Sequence, residues 1–230
     1  MRVQHVELRD GIRLVDSRYD QERSHALEAL ADGDAERAAV LVDLVRATSA
    51  RVRAERGDDP AFARNVLVTG VPLAHVINAS FAYPPGAGSG GARFNAEDFG
   101  AWYCSLEIST AQAEVEHHRA RFLREGRISS AELAFTAYLA DITSQGAVLA
   151  RTADAPLLDP DSYAASQAFA HECLGRELPV IAYPSVRRPG GRNAAALVPH
   201  VVQRVRRGRT FAVQWAEGLF SWRRSDQPAR

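Results

Sequence analysis

The sequence predicts an α+β fold with a mainly antiparallel sheet core and an N-terminal helical insertion. Short stretches rich in β-branched and aromatic residues recur between residues 66 and 215. They lack the regular strand–helix–strand alternation that builds a parallel sheet. Stretches rich in Ala, Leu, Glu and Arg, which favour helices, precede them at residues 22–32 and 35–56.

The composition bounds the class of protein. Of the 230 residues, 46% are hydrophobic and 24% are charged, as expected of a folded globular chain. Acidic and basic residues balance at 28 each, so bulk charge favours neither direct nucleic-acid binding nor a membrane surface. Every basic residue is arginine. The absence of lysine excludes a Schiff base and a Walker-type phosphate loop.

The cysteines and the N-terminal segment indicate the cellular compartment in which the protein is expected. Cys104 and Cys173 lie far apart and outside any metal-binding spacing, so they are predicted to be buried, reduced thiols. The segment MRVQHVELRDG lacks the apolar core of a signal peptide, and no apolar run approaches the length of a membrane span. We therefore expect a cytoplasmic protein without a targeting segment.

The first half of the chain is predicted to contain several strands, a glycine-rich loop and helices. Residues 12–19 are predicted to form a short strand that opens into a loop, and GDDP at 57–60 ends the second helix. The β-prone stretches at 66–71 and 73–83 are predicted strands, and PPGAGSGG at 84–91 can only be a loop. Residues 99–106 are a further strand, and Ser109 with Gln112 forms a capping box for a helix to about Arg124.

The second half alternates strands and turns around one more helix. Asp161 or Ser162 is predicted to cap a helix over 164–174, after a turn at 157–163. The predicted strands are 134–142, 177–184, 194–198, 201–205 and 210–215, with a turn at 187–193. The last two strands form a hairpin across RRGR, and the C-terminal tail is polar and frayed.

Three chemically useful side chains follow one another around the glycine loop. Arg93 comes directly after two glycines and can present its donors to a phosphate. Tyr103 lies in a strand, where a phenol can stack on a flat ring, and Glu114 lies in the first turns of a helix. Taken singly, a surface arginine, a core tyrosine and a solvated glutamate explain them as well or better.

Together the three residue types indicate a dinucleotide substrate. The pyrophosphate of NAD attracts arginine, and its nicotinamide packs against an aromatic face. Breaking its N-glycosidic bond builds an oxocarbenium ion that a carboxylate stabilises. The sequence therefore points to chemistry on NAD.

Four segments carry a resemblance to a known family. GGARFN, WYCSLEISTAQAE, SYAASQAFA and IAYPSVRRPGGRNAAALVP resemble the RES-domain family, which is named for an arginine, a glutamate and a serine and includes toxins of bacterial toxin–antitoxin pairs. The resemblance covers roughly Ile12 to Trp215, in the manner of the family's longer branch. It implies an ADP-ribosyltransferase-like fold in a single domain over 1–230, with a helical insertion at 20–60, a catalytic core at 61–215 and a polar tail at 216–230.

The resemblance also assigns residues. Arg93, Tyr103 and Glu114 match the family's loop arginine, strand tyrosine and helix glutamate, although GGARFN has one residue interposed relative to the GGRWN of many members. Arg13 matches the opening arginine, and Arg18 is a second candidate. Arg13 and Arg93 would bind the phosphates, Tyr103 would pack on the nicotinamide or its ribose, and Glu114 would stabilise the charge at the anomeric carbon.

The family's serine has two candidates. Ser185 fits the sequence pattern in YPSVR, whereas Ser166 fits the segment that lines the pocket in some members. Either would orient the ribose or the carboxamide. Asn193 is a candidate NAD contact, with turn formation as its more common role. His117 and His118 are adjacent rather than i,i+4, so a structural role is favoured and no metal is expected.

Three functions remain open at this point. The first is a toxin that cleaves the nicotinamide–ribose bond of NAD+ by phosphorolysis or hydrolysis. The second is an ADP-ribosyltransferase that modifies a target protein, and the third is a non-catalytic module that binds an antitoxin. The implied partners are NAD+, inorganic phosphate or an acceptor protein, and a cognate, DNA-binding antitoxin that covers the pocket mouth.

Overall fold

A computed structural model describes residues 1–19, 32, 34–48, 67–83 and 88–225. Its strands are β1 (Arg2–Asp16), β2 (Trp102–Ser105), β3 (Ser130–Val148), β4 (Val180–Pro184), β5 (Arg192–Ala196), β6 (Val202–Ala216) and β7 (Leu219–Arg224). Its helices are α1 (Ala35–Thr48), α2 (Ala74–Ala82), α3 (Ile108–Glu125) and α4 (Ala164–Gly175). Short 3-10 turns cover Ser17–Tyr19, Ala155–Leu158 and Pro199–Val201.

The strands form one sheet that curls on itself. Its order is β1-β2-β5-β4-β3-β6-β7, and β1 also pairs along β3, so the first five strands close into a ring. Among the described strands only β3 and β4 run parallel; all other pairs are antiparallel. The predicted α+β fold with a mainly antiparallel sheet is confirmed.

Strands β4 and β5 are buried on both faces. Val180 and Ala182 join Trp102 in a cluster that includes Ile77 of α2. The intervening residues Ile181 and Tyr183 instead pack toward α4. Because both faces are covered, these strands read as unbroken apolar runs rather than as alternating patterns. Helix α4 therefore packs against the face of β4 that carries Ile181 and Tyr183.

Helix α3 lies along the other side of β1 and β3. Val115 packs in a cluster with Leu14 and Phe135, and the indole of Trp222 on β7 donates a hydrogen bond to Glu116 (2.6 Å). An apolar face and polar contacts such as this one therefore fix the helix that carries Glu114 against the sheet.

The prediction of a strand at 73–83 is wrong, because this stretch forms α2. Its β-branched and aromatic content favoured a strand, but Ile77 and Phe81 recur at helical spacing and are both buried. The buried amide of Asn78 exchanges two hydrogen bonds with the backbone of Val68. Residues 67–71 accordingly form bends rather than the strand predicted at 66–71.

The predicted C-terminal hairpin is also wrong. Strand β6 runs without a break through the arginines at 206–209, and the actual hairpin turns at Glu217 and Gly218, which both have positive φ. Part of the predicted polar tail therefore forms β7. Its Phe220 ring packs on Trp215 with 4.7 Å between ring centroids.

Strand lengths and helix starts differ from the prediction as well. β1 and β3 extend well beyond 12–19 and 134–142, because each provides the other with a long antiparallel partner. Neither predicted helix cap forms. Helix α3 begins at Ile108 after Glu107, and α4 begins after Tyr163, in both cases without a side-chain cap.

Some predictions fall outside the described residues. These are the helix at 22–32 up to residue 31, the end of the helix at 35–56 beyond Thr48 with its stop at 57–60, and the loop at 84–91 before residue 88. Both cysteines are free and buried, as predicted. No helix in the described ranges is long and apolar enough to cross a membrane.

Candidate active site

A half-open cavity of about 260 Å³ lies between the loop after the glycine pair, the middle of the sheet and α3. Five of the eight candidate residues line it, namely Arg13, Arg93, Tyr103, Glu114 and Asn193. These residues come from five different segments of the chain. The curling of the sheet and the packing of α3 against β1 bring them together.

The carboxylate of Glu114 lies in this cavity and is bound on one side only. Its Oε1 accepts hydrogen bonds from Ser185 Oγ and from Asn193 Nδ2, both at 2.7 Å. Among the described residues, no donor lies within hydrogen-bond distance of Oε2. One oxygen is therefore fixed by the protein, and the other is available to a ligand.

The two donors to Glu114 are themselves oriented. Ser105 donates to Asn193 Oδ1 (2.7 Å), which turns the amide nitrogen of Asn193 toward the carboxylate. Ser105 and Asn193 are register partners on β2 and β5. The hydroxyl oxygen of Ser185 accepts the backbone N–H groups of Arg187 (3.1 Å) and Arg188 (3.0 Å), so its own proton goes to Glu114.

Arg13 brings a desolvated positive charge to the cavity wall. Its guanidinium lies over the Trp102 ring at 5.0 Å, and Nη1 donates to the carbonyl of Tyr103 at 3.4 Å. Burial lowers the pKa of Arg13 to about 10, which still leaves it protonated at neutral pH. Within the described chain no carboxylate contacts it. An anionic ligand can supply the missing countercharge.

Arg93 is buried and is held by backbone oxygens. Its Nη1 donates to the carbonyl of Asp159 (2.8 Å) and more weakly to that of Leu157 (3.4 Å). The guanidinium lies over the Tyr163 ring at 4.9 Å. These contacts leave the remaining guanidinium donors for the cavity.

Tyr103 supports the loop that carries Arg93. Its hydroxyl accepts the backbone N–H of Phe94 (2.9 Å) and donates to Asn95 Oδ1 (2.7 Å). Burial raises the pKa of the Tyr103 phenol. The hydroxyl is therefore used within the protein, and only the ring is available to a ligand.

Three candidates lie outside the cavity lining. Ser166 is buried in α4, where its hydroxyl donates to the carbonyl of Tyr163 (3.0 Å). Arg18 is exposed, and its Nη2 pairs with the carboxylate of Asp16 (2.8 Å). Ser185 does not line the cavity either, but it touches Glu114 directly. The structure therefore distinguishes the two serines by their contacts.

Sequence reasoning did not name three aromatic residues of the cavity lining as site candidates: Tyr163, Tyr183 and His118, for which it favoured a structural role. His118 lies one helical turn after Glu114, and this i,i+4 spacing places both on one helix face. Desolvation by the surrounding residues lowers the pKa of His118 despite the nearby carboxylate of Glu114, although His118 remains partly exposed to solvent. The positions of Tyr163 and Tyr183 depend on the tertiary fold and left no local signal.

The chemistry available here is that of an anion-binding site with one directed carboxylate. Two guanidinium groups favour phosphate, and aromatic walls favour a flat ring. The free oxygen of Glu114 favours developing positive charge. No group of three or more His, Cys, Asp or Glu side chains arranged to hold a metal occurs among the described residues.

Comparisons with known proteins give a family. One chain of the crystal structure of the M. tuberculosis MbcT-MbcA toxin–antitoxin complex is similar, with 18% sequence identity, a TM-score of 0.41, and coverage of 53% of this chain and 71% of that chain. No curated protein sequence matches. The family model described as the RES domain matches residues 67–216, which is most of the chain and contains the glycine loop, Glu114 and Ser185. The chain belongs to the RES-domain family.

Proposed function

We propose that this protein is a RES-type toxin that cleaves the nicotinamide–ribose bond of NAD+ by phosphorolysis or hydrolysis, and so depletes cellular NAD. One observation carries the proposal: Glu114 presents a fixed carboxylate to the same cavity that Arg13 and Arg93 line. The two arginines match the pyrophosphate, and the carboxylate matches the centre that becomes cationic.

In the proposed reaction the bond between the ribose C1 and the nicotinamide nitrogen breaks. The electron pair leaves with the nitrogen, which becomes neutral, and positive charge develops at C1. Glu114 Oε2 stabilises that charge while Ser185 and Asn193 hold Oε1. An oxygen of water or phosphate then bonds to C1, giving ADP-ribose with release of a proton, or ADP-ribose 1″-phosphate.

The size of the cavity is consistent with one half of the substrate. Its volume of about 260 Å³ lies just below the usual range of ligand pockets, roughly 300–1,000 Å³. The nicotinamide and its ribose would occupy the cavity, and the adenosine would lie at the open mouth. The tyrosines Tyr103, Tyr163 and Tyr183 would contact the nicotinamide half.

A product assay tests the proposal. Purified protein is incubated with NAD+ with and without phosphate, and the products are identified by mass. Free nicotinamide with ADP-ribose or its phosphorylated form is expected. ADP-ribose retained on a protein would point instead to an ADP-ribosyltransferase.

Matched variants connect the activity to the site. Glu114→Gln keeps the shape of the side chain but removes its charge, so NAD+ cleavage should fall by about 100- to 1,000-fold. Glu125→Gln changes an exposed glutamate at the end of the same helix and should leave the rate unchanged. Equal rates for wild type and Glu114→Gln would rule out this account.

A cognate antitoxin is part of the same proposal. An enzyme that depletes NAD is lethal unless restrained, and the cavity mouth is the surface that a restraining protein would cover. Expression of the protein alone should arrest growth, and Glu114→Gln should relieve the arrest. Growth unaffected by the wild-type protein would count against a toxin.

A further inference from the structure

We infer that Gln167 is a positioning residue that anchors the loop carrying Arg93 and thereby sets the affinity for the phosphates of the substrate. This rests on the proposed function. Gln167 lies on α4 and is half-buried. The segment that it anchors, residues 90–95, is called the arginine loop below.

The side-chain amide of Gln167 contacts the arginine loop at three carbonyl groups. Nε2 donates to the carbonyl oxygens of Gly90 (2.8 Å) and Ala92 (3.0 Å) and lies 3.5 Å from that of Asn95. An amide nitrogen has two protons, and two of these contacts have good length. One side chain therefore satisfies the carbonyls on both sides of Gly91.

The loop folds closely around this amide. Gly91 has a φ of 71°, in the left-handed region. A Cβ placed on it would lie 2.5 Å from the carbonyl oxygen of Asn95 and 2.8 Å from Gln167 Nε2. The backbone N–H of Ala92 also donates to the Asn95 carbonyl (2.8 Å). The tight turn and the amide contact thus depend on the same glycine.

The segment just before α4 holds the side chain of Arg93. The guanidinium contacts the carbonyl of Asp159 and the ring of Tyr163, in the segment that leads into α4. The carboxylate of Asp159 accepts the N–H groups of Asp161 (2.8 Å) and Ser162 (2.9 Å), which fixes that turn. Gln167 thus positions the backbone around Arg93, and the turn at residues 159–162 positions the Arg93 side chain.

A second anchor acts on the far side of the loop. The hydroxyl of Tyr103 binds the N–H of Phe94 and the side chain of Asn95. Loss of Gln167 therefore loosens only the glycine side of the loop, where the carboxylate of Glu97 still accepts the N–H of Gly90 (2.8 Å), while the rest stays attached to β2. We expect Arg93 to lose its preferred position without unfolding of the protein.

The kinetic consequence follows from the contact between Arg93 and the pyrophosphate in the proposed complex. The pyrophosphate keeps its charge throughout the reaction, so an arginine bound to it contributes equally to the ground and transition states. A loss of such uniform binding raises KM and leaves kcat nearly unchanged. Gln167→Ala should raise the KM for NAD+ by about 5- to 30-fold, with kcat within about 3-fold of wild type. Glu172→Ala, an exposed change on the same helix, should alter neither.

An isosteric variant separates the hydrogen bond from packing. Gln167→Glu keeps the shape, but an ionised carboxylate would face three carbonyl oxygens and repel them. Its KM at about pH 8 should exceed that of Gln167→Ala. On lowering the pH to about 5.5 the carboxyl group gains a proton that it can donate, and its KM should approach the wild-type value at that pH. A purely structural role would give no such dependence on protonation.

A measurement without NAD+ separates this inference from the proposed function. Hydrogen exchange followed by mass spectrometry should show faster exchange in the peptide over 88–97 for Gln167→Ala than for wild type or Glu172→Ala. Unchanged exchange would overturn the inference whether or not the protein cleaves NAD+. Faster exchange with an unchanged KM would also overturn it, since the loop would not then determine affinity.

Discussion

The carboxylate of Glu114 shows how side chains that are distant in sequence orient one group in the cavity. Other hydrogen bonds orient both of its donors. Ser105 donates to the amide oxygen of Asn193, and two backbone N–H groups donate to the hydroxyl oxygen of Ser185. A hydrogen bond to a charged group contributes roughly 1.5–3 kcal/mol. Each donor should therefore affect the rate measurably.

The two candidate serines can be distinguished by substitution. Ser185→Ala removes one donor from Oε1 of Glu114 and should lower kcat by about 10- to 100-fold, in line with the energy of a charged hydrogen bond. Ser166→Ala removes a hydroxyl that donates to a helix carbonyl outside the cavity, and the rate should stay within about 3-fold of wild type. Steady-state NAD+ cleavage measures both. The reverse order of effects would assign the family's serine to Ser166.

His118 gives a prediction for stability against pH. Desolvation by the surrounding residues, together with the nearby charges of Arg187, Arg93 and Arg121, holds its pKa below the ordinary value of 6.5, although the residue remains partly exposed to solvent. As the pH falls through about 6.5 the unfolded chain takes up this proton before the folded protein does, so the free energy of unfolding decreases. His118→Gln should lose less stability than wild type between about pH 7.5 and pH 5, as measured by urea unfolding at each pH. Parallel curves for the two proteins would contradict this.

At the scale of elements, the arginine loop depends on a residue without a side chain. Gly91→Ala requires an alanine to adopt a left-handed backbone conformation and places its Cβ against the Asn95 carbonyl. The change should therefore reduce NAD+ cleavage by at least about 10-fold. Gly218→Ala has a comparable positive φ on the β6–β7 turn, but no heavy atom lies near its added Cβ. The control should lower thermal stability without changing KM. Equal kinetics for the two variants would contradict the role given to the loop.

The elements also show what local sequence can predict. Helices α3 and α4 and the strands around β2, β4 and β5 could be predicted, because composition and turn residues agree with the tertiary structure there. Helix α2 could not, since β-branched residues outweighed the spacing of Ile77 and Phe81. The course of β6 through its arginines depends on pairing with β3, a contact that no local pattern contains.

At the scale of the molecule, the candidate residues that line the cavity come from β1, β2, β5, α3 and the arginine loop. Arg93, Tyr103 and Glu114 were predictable because they lie within one strand–helix unit and match a family pattern. Tyr163 and Tyr183 were not, because tertiary packing rather than a local pattern brings them to the cavity. The sequence thus predicted residues that line the cavity, and the fold supplied its other walls.

The two cysteines report on how the core clusters unfold. Cys104 lies on β2 and Cys173 lies on the buried face of α4, in separate clusters. Burial raises the pKa of Cys104 to about 12 and that of Cys173 to about 11, so neither should react with a thiol reagent at about pH 8 while the protein is folded. If the ring and α4 form one cooperative unit, both should become reactive at the same urea concentration. Earlier labelling of Cys173 would show that α4 detaches first.

The most direct test of the central claim is a crystal structure of Glu114→Gln with NAD+ bound. The account predicts the nicotinamide ribose in the cavity with its C1 facing residue 114, and the pyrophosphate in contact with Arg13 and Arg93. A dinucleotide bound elsewhere on the protein, with this cavity empty, would contradict it.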